Sequence, residues 1–378
     1  MLRNAVRRGE ALAGTPSEPV FDPTSIPSLG GVTRVRHAFN DVEHDAFGLR
    51  MTPPEVFCLD ENPAETLAFI HDFREVRLLR LGLPDGSERR LRSRYRGRWI
   101  GSYTDIAAIR RITPAAALVL ASEFDRAVRR NRIGRRGVVN ARAWNPGVAR
   151  MLIDIGFLQH MNANLPDYQQ VDPSPPEKRM LPMLTGNRNE PEQILSLRAQ
   201  LQSLMDSVLD SVLNHAIYDG LIEAMDNCAA HAYPEDHEFR YPMEQQRWWM
   251  SGSVANDREL EVIFFDQGAT IPGTLPRSGK REIARHWLSE KLNLVGIDAA
   301  DDGQRIHAAM ETGRSMFRQQ GRGHGLAQMR SLVDLAPSGS LRILSRKGRY
   351  IYEKDAGERV DTLDGLIGGT LIHWRFRL

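Results

Sequence analysis

Apolar positions recur along the chain with two different periods, which predicts a protein built from both helices and strands. From Ile194 onward, Leu197, Leu201, Leu204 and Val208 follow at intervals of three or four residues, a stripe that predicts an amphipathic helix. The last third instead contains short runs rich in β-branched and aromatic residues, which predict strands. The second half of the chain is therefore expected to be an α/β sandwich, one mixed sheet with helices packed on one face.

The elements predicted for this half follow one another in a definite order. A second helix covers residues 217–233, and the runs RWWMSGSV and ELEVIFFDQG then form a hairpin. A further helix is predicted at residues 281–292, followed by a polar segment and the helix LAQMRSLVDL. The runs LRILSRKG, RYIYEK and TLIHWRFRL end the chain as strands of an antiparallel meander.

The first half carries a weaker alternation of strands and helices, which predicts a small α/β domain over residues 54–164. Its strongest helix is PAAALVLASEFDRAVRR, with Pro114 near the first turn. The other elements expected are strands at 76–83, 99–109 and 137–140 and a second amphipathic helix, VARMLIDIGFLQHM.

Two segments lack such patterns and predict how the domains are arranged along the chain. Residues 1–30 are polar and weakly patterned, as in a flexible or peripheral arm. Residues 165–191 contain many prolines and have no periodicity, as in an interdomain linker. We therefore expect two domains, residues 54–164 and residues 192–378, joined by this linker.

Composition and charge narrow the class of protein. Hydrophobic residues make up 41% and charged residues 26%, as in soluble globular proteins. The formal charge is only +2, so neither nucleic acid nor a membrane is the expected partner. No stretch approaches about 18 consecutive apolar residues and no signal-peptide pattern is present, which predicts a cytoplasmic protein. Cys58 and Cys228 lie far apart and match no metal-ligand spacing.

Polar residues with possible chemical roles lie on the second predicted helix of the second half. Glu223, Asn227 and His231 are spaced by four and form one polar stripe on a mostly apolar helix. Burying a carboxylate, an amide and an imidazole is costly unless they face a ligand, a metal ion or water. The alternative is a solvated edge of the helix.

Two further motifs follow this helix in the chain. The apolar run VIFF leads directly into Asp266, whose carboxylate could accept a hydrogen bond from a ligand's amino group, and Gly268 would let the chain approach a flat ring. The segment GRGHGL, residues 321–326, precedes an amphipathic helix, so its backbone N–H groups could cradle phosphate. It lacks the lysine and hydroxyl residue of the GxxxxGK[ST] phosphate loop.

These motifs, in this order and followed by GGT at residues 368–370, resemble the GHKL ATP-binding superfamily over roughly residues 190–378. The closest type is the anti-sigma-factor serine kinase. The resemblance implies that the chain binds ATP and Mg²⁺. No phosphoacceptor-histidine signature is evident, so a sensor histidine kinase is not expected.

The resemblance also implies a role for each matching residue. Asn227 would hold Mg²⁺, Glu223 would be the general base, and His231 extends the same helix face. Asp266 would bind the adenine amino group, with Gly268 under the ring. Thr270 replaces the second glycine of the DxGxG box and would tighten the adenine loop or add a hydroxyl contact, and Thr370 would close the adenine pocket through a water. Arg314 and Arg318 would bind nucleotide from a lid over residues 301–320. The phosphate loop would consist of Gly321, Arg322, Gly323, His324, Gly325 and Leu326.

The predicted N-terminal domain resembles STAS-like domains, the fold of anti-sigma-factor antagonists. The likeness consists of a strand ending near Ile112, a turn, a helix, a short strand and a helix ending in Gly156–Phe157. Where that family carries a phosphorylated serine, only Thr113 could accept phosphate here. The resemblance implies a surface for docking another protein, and a second copy of the chain is a further candidate partner.

Two functions remain open at this stage. The chain could be a regulatory protein that uses ATP to phosphorylate a protein or to switch a protein–protein interaction. Alternatively, it could be an ATP-gated ATPase subunit of a multi-protein assembly without kinase activity. Glu223 makes hydrolysis or phosphoryl transfer chemically feasible.

Overall fold

The structure is a computed structural model that describes residues 42–44, 48–78, 101–131, 138–161, 163, 178–187, 191–204, 211–241, 246–255, 258–277, 281–292, 300–317 and 325–378. Its strands are β1 (Val42–His44), β2 (Gly48–Met51), β3 (Val56–Phe57), β4 (Gly101–Thr104), β5 (Arg111–Ile112), β6 (Lys178–Met180), β7 (Leu184–Gly186), β8 (Trp248–Ala255), β9 (Glu259–Asp266), β10 (Ser338–Ser345), β11 (Gly348–Glu353), β12 (Gly357–Thr362) and β13 (Thr370–Arg377). Its α-helices are α1 (Pro63–Leu78), α2 (Pro114–Asn131), α3 (Pro146–Asp154), α4 (Phe157–His160), α5 (Pro191–Leu204), α6 (Ser211–Asn227), α7 (Ile271–Thr274), α8 (Arg281–Leu292), α9 (Asp302–Phe317) and α10 (Gly325–Leu335). Over these ranges, no helix has the length and apolar character needed to cross a membrane.

An eight-stranded sheet is the centre of the molecule, in the order β12-β11-β10-β13-β9-β8-β6, with β7 also paired to β8. Every pairing in this sheet is antiparallel. Within the described ranges, parallel pairs occur only between β2 and β4 and between β3 and β5. The mixed α/β class is therefore confirmed, whereas the prediction of a mixed sheet is wrong. Short turns join several neighbouring strands, and such turns can only connect antiparallel partners.

Both faces of the large sheet are covered, and successive residues of each strand point to opposite faces. On β9, Phe264 belongs to a hydrophobic cluster with Met225 of α6 and with residues of α5, α9 and α10. Its neighbour Phe265 belongs to a second cluster with Phe73 of α1 and Phe124 of α2. We call the first surface the helix face and the second the N-terminal face. The sequence analysis did not predict that the first half of the chain would cover the sheet.

The second half otherwise follows the predicted order of elements. Helix α6 begins earlier than expected and continues into a π-helical turn, Cys228–Ala232. The hairpin is β8 and β9, and the helix at 281–292 is α8. The three final runs are β10, β11 and β13, but an additional strand, β12, lies between the last two.

The N-terminal predictions need more correction. The helix beginning at Pro114 is confirmed as α2. The expected strand at 76–83 is wrong for residues 76–78, which form the last turn of α1, and 79–83 lie outside the described residues. The expected strand at 137–140 is wrong for 138–140, where Asn140 has φ 54° and the chain bends. Gly156, with φ 78°, divides the second predicted helix into α3 and α4.

The predicted linker at 165–191 contains two strands of the large sheet. β6 and β7 both pair with β8, and the backbone N–H of Leu181 donates to Gly252 O at 2.8 Å. These residues are therefore part of the folded sheet. The edge of β8 has unpaired backbone N–H and C=O groups, and the proline-free strands β6 and β7 form hydrogen bonds with them. The predicted arm at 1–30 lies outside the described residues.

Candidate functional site

The motif residues that the structure describes converge at one end of the large sheet. Asp266 ends β9 and is directly opposite Thr370, the first residue of β13. The loop after β9 is joined to the π turn by a hydrogen bond from Ala269 N to Ala232 O of 2.7 Å. Residues far apart in sequence therefore meet where β9 ends, β13 begins and α6 gives way to its π turn. π turns inside helices often occur at functional sites.

Asp266 is a buried carboxylate that has no cationic partner among the described residues. Its side chain is 6% exposed and its Oδ1 accepts the backbone N–H of Gly268 at 2.8 Å. Burial raises the pKa of Asp266 to about 7, against the opposing effect of hydrogen bonds from the backbone N–H groups of Gly268 and Thr370. No lysine, arginine or histidine of the described ranges pairs with it. A hydrogen-bond donor supplied by a ligand would compensate its ionised form.

Two neighbouring groups respond to the same environment. Burial, followed by the negative charge of Asp266, raises the pKa of Cys228 and of Tyr233 above their usual values. The Tyr233 hydroxyl donates to Arg247 O and accepts the backbone N–H of Gln267 at 3.3 Å. Both side chains remain neutral at physiological pH, so they add no negative charge beside Asp266.

Asn227 lies at the last position of α6, immediately before the π turn. Its Nδ2 atom is buried and has no hydrogen-bond partner within the described part of the chain. An unpartnered buried amide destabilises a protein by about 1–3 kcal/mol, so such groups are expected where a ligand completes their hydrogen bonding. This observation singles out Asn227 from the other polar residues of its helix.

Glu223 lies one turn before Asn227 and is beside the first residue of α10. A Cβ atom added at Gly325 would be 1.9 Å from Glu223 Oε1, so only glycine allows this approach. The end of α10 that carries unpaired N–H groups and partial positive charge therefore lies next to the Glu223 carboxylate. Gly325 was predicted as a phosphate-cradling glycine, and the structure gives it this additional packing role.

The role predicted for Gly268 differs from its observed contacts. A Cβ atom there would be 2.4 Å from both Cβ and O of Ala232 in the π turn. Close packing between the loop after β9 and the π turn is thus what requires a glycine. The prediction assigned this freedom to the approach of a flat ring, and the contact present is with the protein itself.

Thr270 adopts a backbone conformation that favours glycine, with φ 70° and ψ 151°. Its hydroxyl accepts the backbone N–H of Gly273 at 3.2 Å and so caps α7. The two roles predicted for this threonine at an adenine site remain predictions.

Thr370 belongs to a hydroxyl pair that links three segments. Its Oγ1 is 2.9 Å from Oγ of Ser345, the last residue of β10, and the same Ser345 oxygen accepts the backbone N–H of Ile271 at 2.9 Å. Both side chains are buried. Sequence reasoning missed Ser345, although the strand register that places it opposite Thr370 follows from the meander.

The other predicted residues divide into two groups. His231 lies in the π turn with an exposed side chain, and Leu326 is half-buried in α10. Arg314 lies on α9, and the structure describes its backbone but not its side chain. Those outside the described residues are Arg318, Gly321, Arg322, Gly323 and His324. Their roles, and the lid over residues 301–320, remain predictions.

A second cluster of potential ligand atoms lies elsewhere. His307, Glu311 and Glu358 offer atoms within 4.8 Å of one another. However, Arg330 Nη1 is 2.6 Å from Glu358, and His307 Nε2 is 2.8 Å from the other oxygen of that carboxylate. Because Glu358 already has cationic and hydrogen-bonding partners, this cluster is better explained as an ion-pair network than as a metal site.

No protein-family model matches the chain, and no curated protein matches it either. The interpretation of the site therefore depends on its own geometry.

Proposed function

We propose that this protein is an ATP–Mg²⁺-binding regulator of the GHKL type, which uses ATP to phosphorylate a protein or to switch a protein–protein interaction. One observation carries the proposal. Among the described residues, no cation pairs with the buried carboxylate of Asp266, and no group accepts a hydrogen bond from the buried Nδ2 atom of Asn227. Both residues lie at the same end of one antiparallel sheet. Both groups would gain partners from a nucleotide and its metal ion.

Asp266 would select the base. Its ionised carboxylate would accept a hydrogen bond from the 6-amino group of adenine, and a base with an oxygen at that position would present a second acceptor instead. Thr370 is opposite Asp266 on the neighbouring strand β13, and its hydroxyl pairs with that of Ser345 on β10, the next strand of the sheet. Such a bond would favour the ionised form and lower the raised pKa of Asp266.

Asn227 would hold Mg²⁺ through its side-chain oxygen, a ligand type that this hard cation prefers. The carboxamide can exchange its nitrogen and oxygen by a flip, so the buried position suits either atom. Bound Mg²⁺ would offset the negative charge of the triphosphate.

Glu223, one turn away, would be the general base. It would accept the proton of an attacking water or serine hydroxyl as the new O–P bond forms and the bond from the γ-phosphorus to the bridging oxygen breaks, releasing ADP. Its position at the N-terminal end of α10 places it beside backbone N–H groups suited to anions.

The N-terminal region would dock the partner as a STAS-like domain. Thr113, the only hydroxyl residue at the position where that family is phosphorylated, precedes α2, and its carbonyl accepts the N–H of Ala117 at 2.8 Å. We keep it as the candidate phosphoacceptor.

Titration of the full chain with Mg²⁺ and ATP in a calorimeter tests the site. We expect binding in the wild type and its loss in Asn227→Ala, with unchanged binding in Asp219→Asn, an exposed residue of the same helix. Equal affinity of Asn227→Ala and the wild type would refute the assignment.

Incubation with γ-labelled ATP then separates the functions. Label on protein that disappears in Glu223→Gln would support a kinase, and its loss in Thr113→Ala would identify the acceptor. Free phosphate without labelled protein would instead support the ATPase alternative. Binding without either product would support a nucleotide-dependent switch.

A further inference from the structure

A buried ion pair joins the N-terminal helices to the candidate site. Arg74 of α1 and Glu123 of α2 are 2% and 1% exposed and contact each other through Arg74 Nη2 and Glu123 Oε1. Burying two charges is unfavourable unless further hydrogen bonds satisfy them. Groups of the second half of the chain supply such hydrogen bonds to Arg74 Nη2 and Glu123 Oε1, whereas Arg74 Nε and Glu123 Oε2 have no partner among the described residues.

Each member of the pair contacts one of the two segments that hold the Asp266–Thr370 strand pair. Arg74 Nη2 donates to Ile367 O at 2.7 Å, three residues before Thr370 in the chain. Glu123 Oε1 accepts from Gln267 Nε2 at 2.7 Å, and Gln267 directly follows Asp266.

The backbone on the Thr370 side is shaped around the guanidinium. Gly368 has φ 66°, and a Cβ atom there would be 2.1 Å from Arg74 Nη1. Gly369 has φ 152°, and a Cβ atom there would be 1.9 Å from Asp266 O. The two glycines thus allow a direct sequence of contacts from Arg74 to the backbone of Asp266.

We propose that Arg74 and Glu123 are positioning residues for the nucleotide site, through which the N-terminal helices hold the two segments that recognise the base. This inference deepens the proposed function and rests on it. Neither residue touches the nucleotide. Their contribution is to fix the Asp266 carboxylate and the Thr370 hydroxyl relative to each other, so that recognition of adenine depends on docking of the N-terminal region.

Discrimination between ATP and GTP is the readout that a merely structural role would not change. Global loosening lowers affinity for both nucleotides, whereas misplacing the base-recognising segments removes the preference for a 6-amino group over a 6-oxygen. We expect the wild type to bind ATP more tightly than GTP. In Gln267→Ala, the ratio of the ATP affinity to the GTP affinity should fall at least 10-fold, with the affinity for GTP unchanged.

A second variant removes both links while preserving the core. Replacing a buried ion pair by apolar residues of similar volume is often neutral for stability. Arg74→Met/Glu123→Leu leaves Gln267 Nε2 and Ile367 O without these partners, so we expect a lower melting temperature but a folded protein, as circular dichroism can verify, with the same loss of ATP preference.

Asp60→Asn is the matched control. Asp60 also joins the N-terminal region to the sheet, through Arg342 and Arg375 Nη2, but these contacts lie on β10 and β13 away from Gln267 and Ile367. We expect its ATP-to-GTP ratio to equal that of the wild type.

The outcomes separate the two proposals. A wild type that does not bind ATP overturns the proposed function and this inference together. Normal ATP binding with an unchanged preference in both Gln267→Ala and the double variant overturns the inference alone. An equal loss of preference in Asp60→Asn also overturns it, since any weakening of the interface would then suffice.

Discussion

Strand β9 carries two buried carboxylates in opposite electrostatic environments. Near its start, Glu261 lies on the N-terminal face, where it accepts hydrogen bonds from Lys178 Nζ at 2.6 Å and His373 Nε2 at 3.1 Å and has Arg375 Nε at 3.7 Å. At its end, Asp266 accepts hydrogen bonds from backbone N–H groups. The same strand therefore buries one carboxylate with cations and one without.

The difference appears in their protonation. Burial opposes ionisation of Glu261, but the hydrogen bond from His373 and the charges of Lys178 and Arg375 outweigh it and hold its pKa far below the usual range. Burial lowers the pKa of His373, whose Nε2 donates to the Glu261 carboxylate. For Asp266, burial dominates and raises the pKa to about 7. Glu261 is thus a completed structural contact, and Asp266 is a group that a ligand can complete.

The largest expected effect is on nucleotide binding. In Asp266→Asn, the remaining oxygen can accept the N–H of Gly268, so an NH2 group faces the adenine amino group in place of an acceptor. We expect the affinity for ATP to fall at least about 1,000-fold, equivalent to about 4 kcal/mol. Glu261→Gln, on the same strand but the other face, should bind ATP like the wild type. Calorimetric titration of both variants measures these affinities. Equal losses of ATP affinity in the two variants would show that Asp266 has no specific role in binding the nucleotide.

The next effect is on the pH dependence of stability. Between pH 3.8 and about 7, folded Asp266 retains a proton that the unfolded chain releases, so the free energy of unfolding should fall as the pH rises through this window and then level off. The shift corresponds to about 4 kcal/mol at most. Asp266→Asn should remove this fall, as urea unfolding at pH 5, 6, 7 and 8 can determine. A fall of the same size in the variant would assign it to other groups.

A slightly smaller effect is expected from the other carboxylate. Glu261→Gln leaves Lys178 and Arg375 beside a neutral group, which should destabilise the fold by about 3 kcal/mol at pH 7. Because the pKa of Glu261 is lowered from 4.5, the difference from the wild type should shrink as the pH falls below this value. Urea unfolding at pH 7 and pH 3.5 tests both statements. A constant difference would exclude ionisation of Glu261 as its source.

The smallest effect concerns backbone strain at the Asp266 end. Thr270→Gly should stabilise the protein by about 1 kcal/mol, since relief of the strained φ exceeds the loss of the cap and the entropy of glycine. Thr270→Ala retains the strain, loses the cap and should destabilise by about 1 kcal/mol. Thermal unfolding measures the melting temperatures of both variants and of the wild type. A lower melting temperature for Thr270→Gly would show that the backbone at Thr270 is not strained.

Local sequence patterns predicted the parts of the site that depend on neighbouring residues. The spacing of Glu223 and Asn227 follows from helical periodicity, and Asp266 follows from an apolar run that ends in a carboxylate. The same patterns failed at residues 76–78, because the apolar residues Val76 and Leu78 are compatible with either a strand or a buried helix end, and the helix from Pro63 extends to Leu78.

The remaining parts of the site could not be predicted, because they depend on contacts between segments that are distant in the sequence. Arg74, Glu123 and Gln267 come together only once the N-terminal helices cover the second face of the sheet. Alternation along β9 shows that two faces exist, but not what covers each. For the same reason, the sequence could not show that Ala232, from another segment, packs against Gly268.

The hydrophobic cluster of the N-terminal face contains side chains from both halves of the chain, so we expect the two halves to unfold together. Trp249, Phe265 and Leu371 have their apolar neighbours in α1 and α2, and Trp249 Nε1 donates to Asp125 of α2 at 3.1 Å. Opening the N-terminal region would expose these side chains to water and remove support from β8, β9 and β13 together. Amides at the centre of the sheet should therefore exchange hydrogen only through global unfolding of both halves.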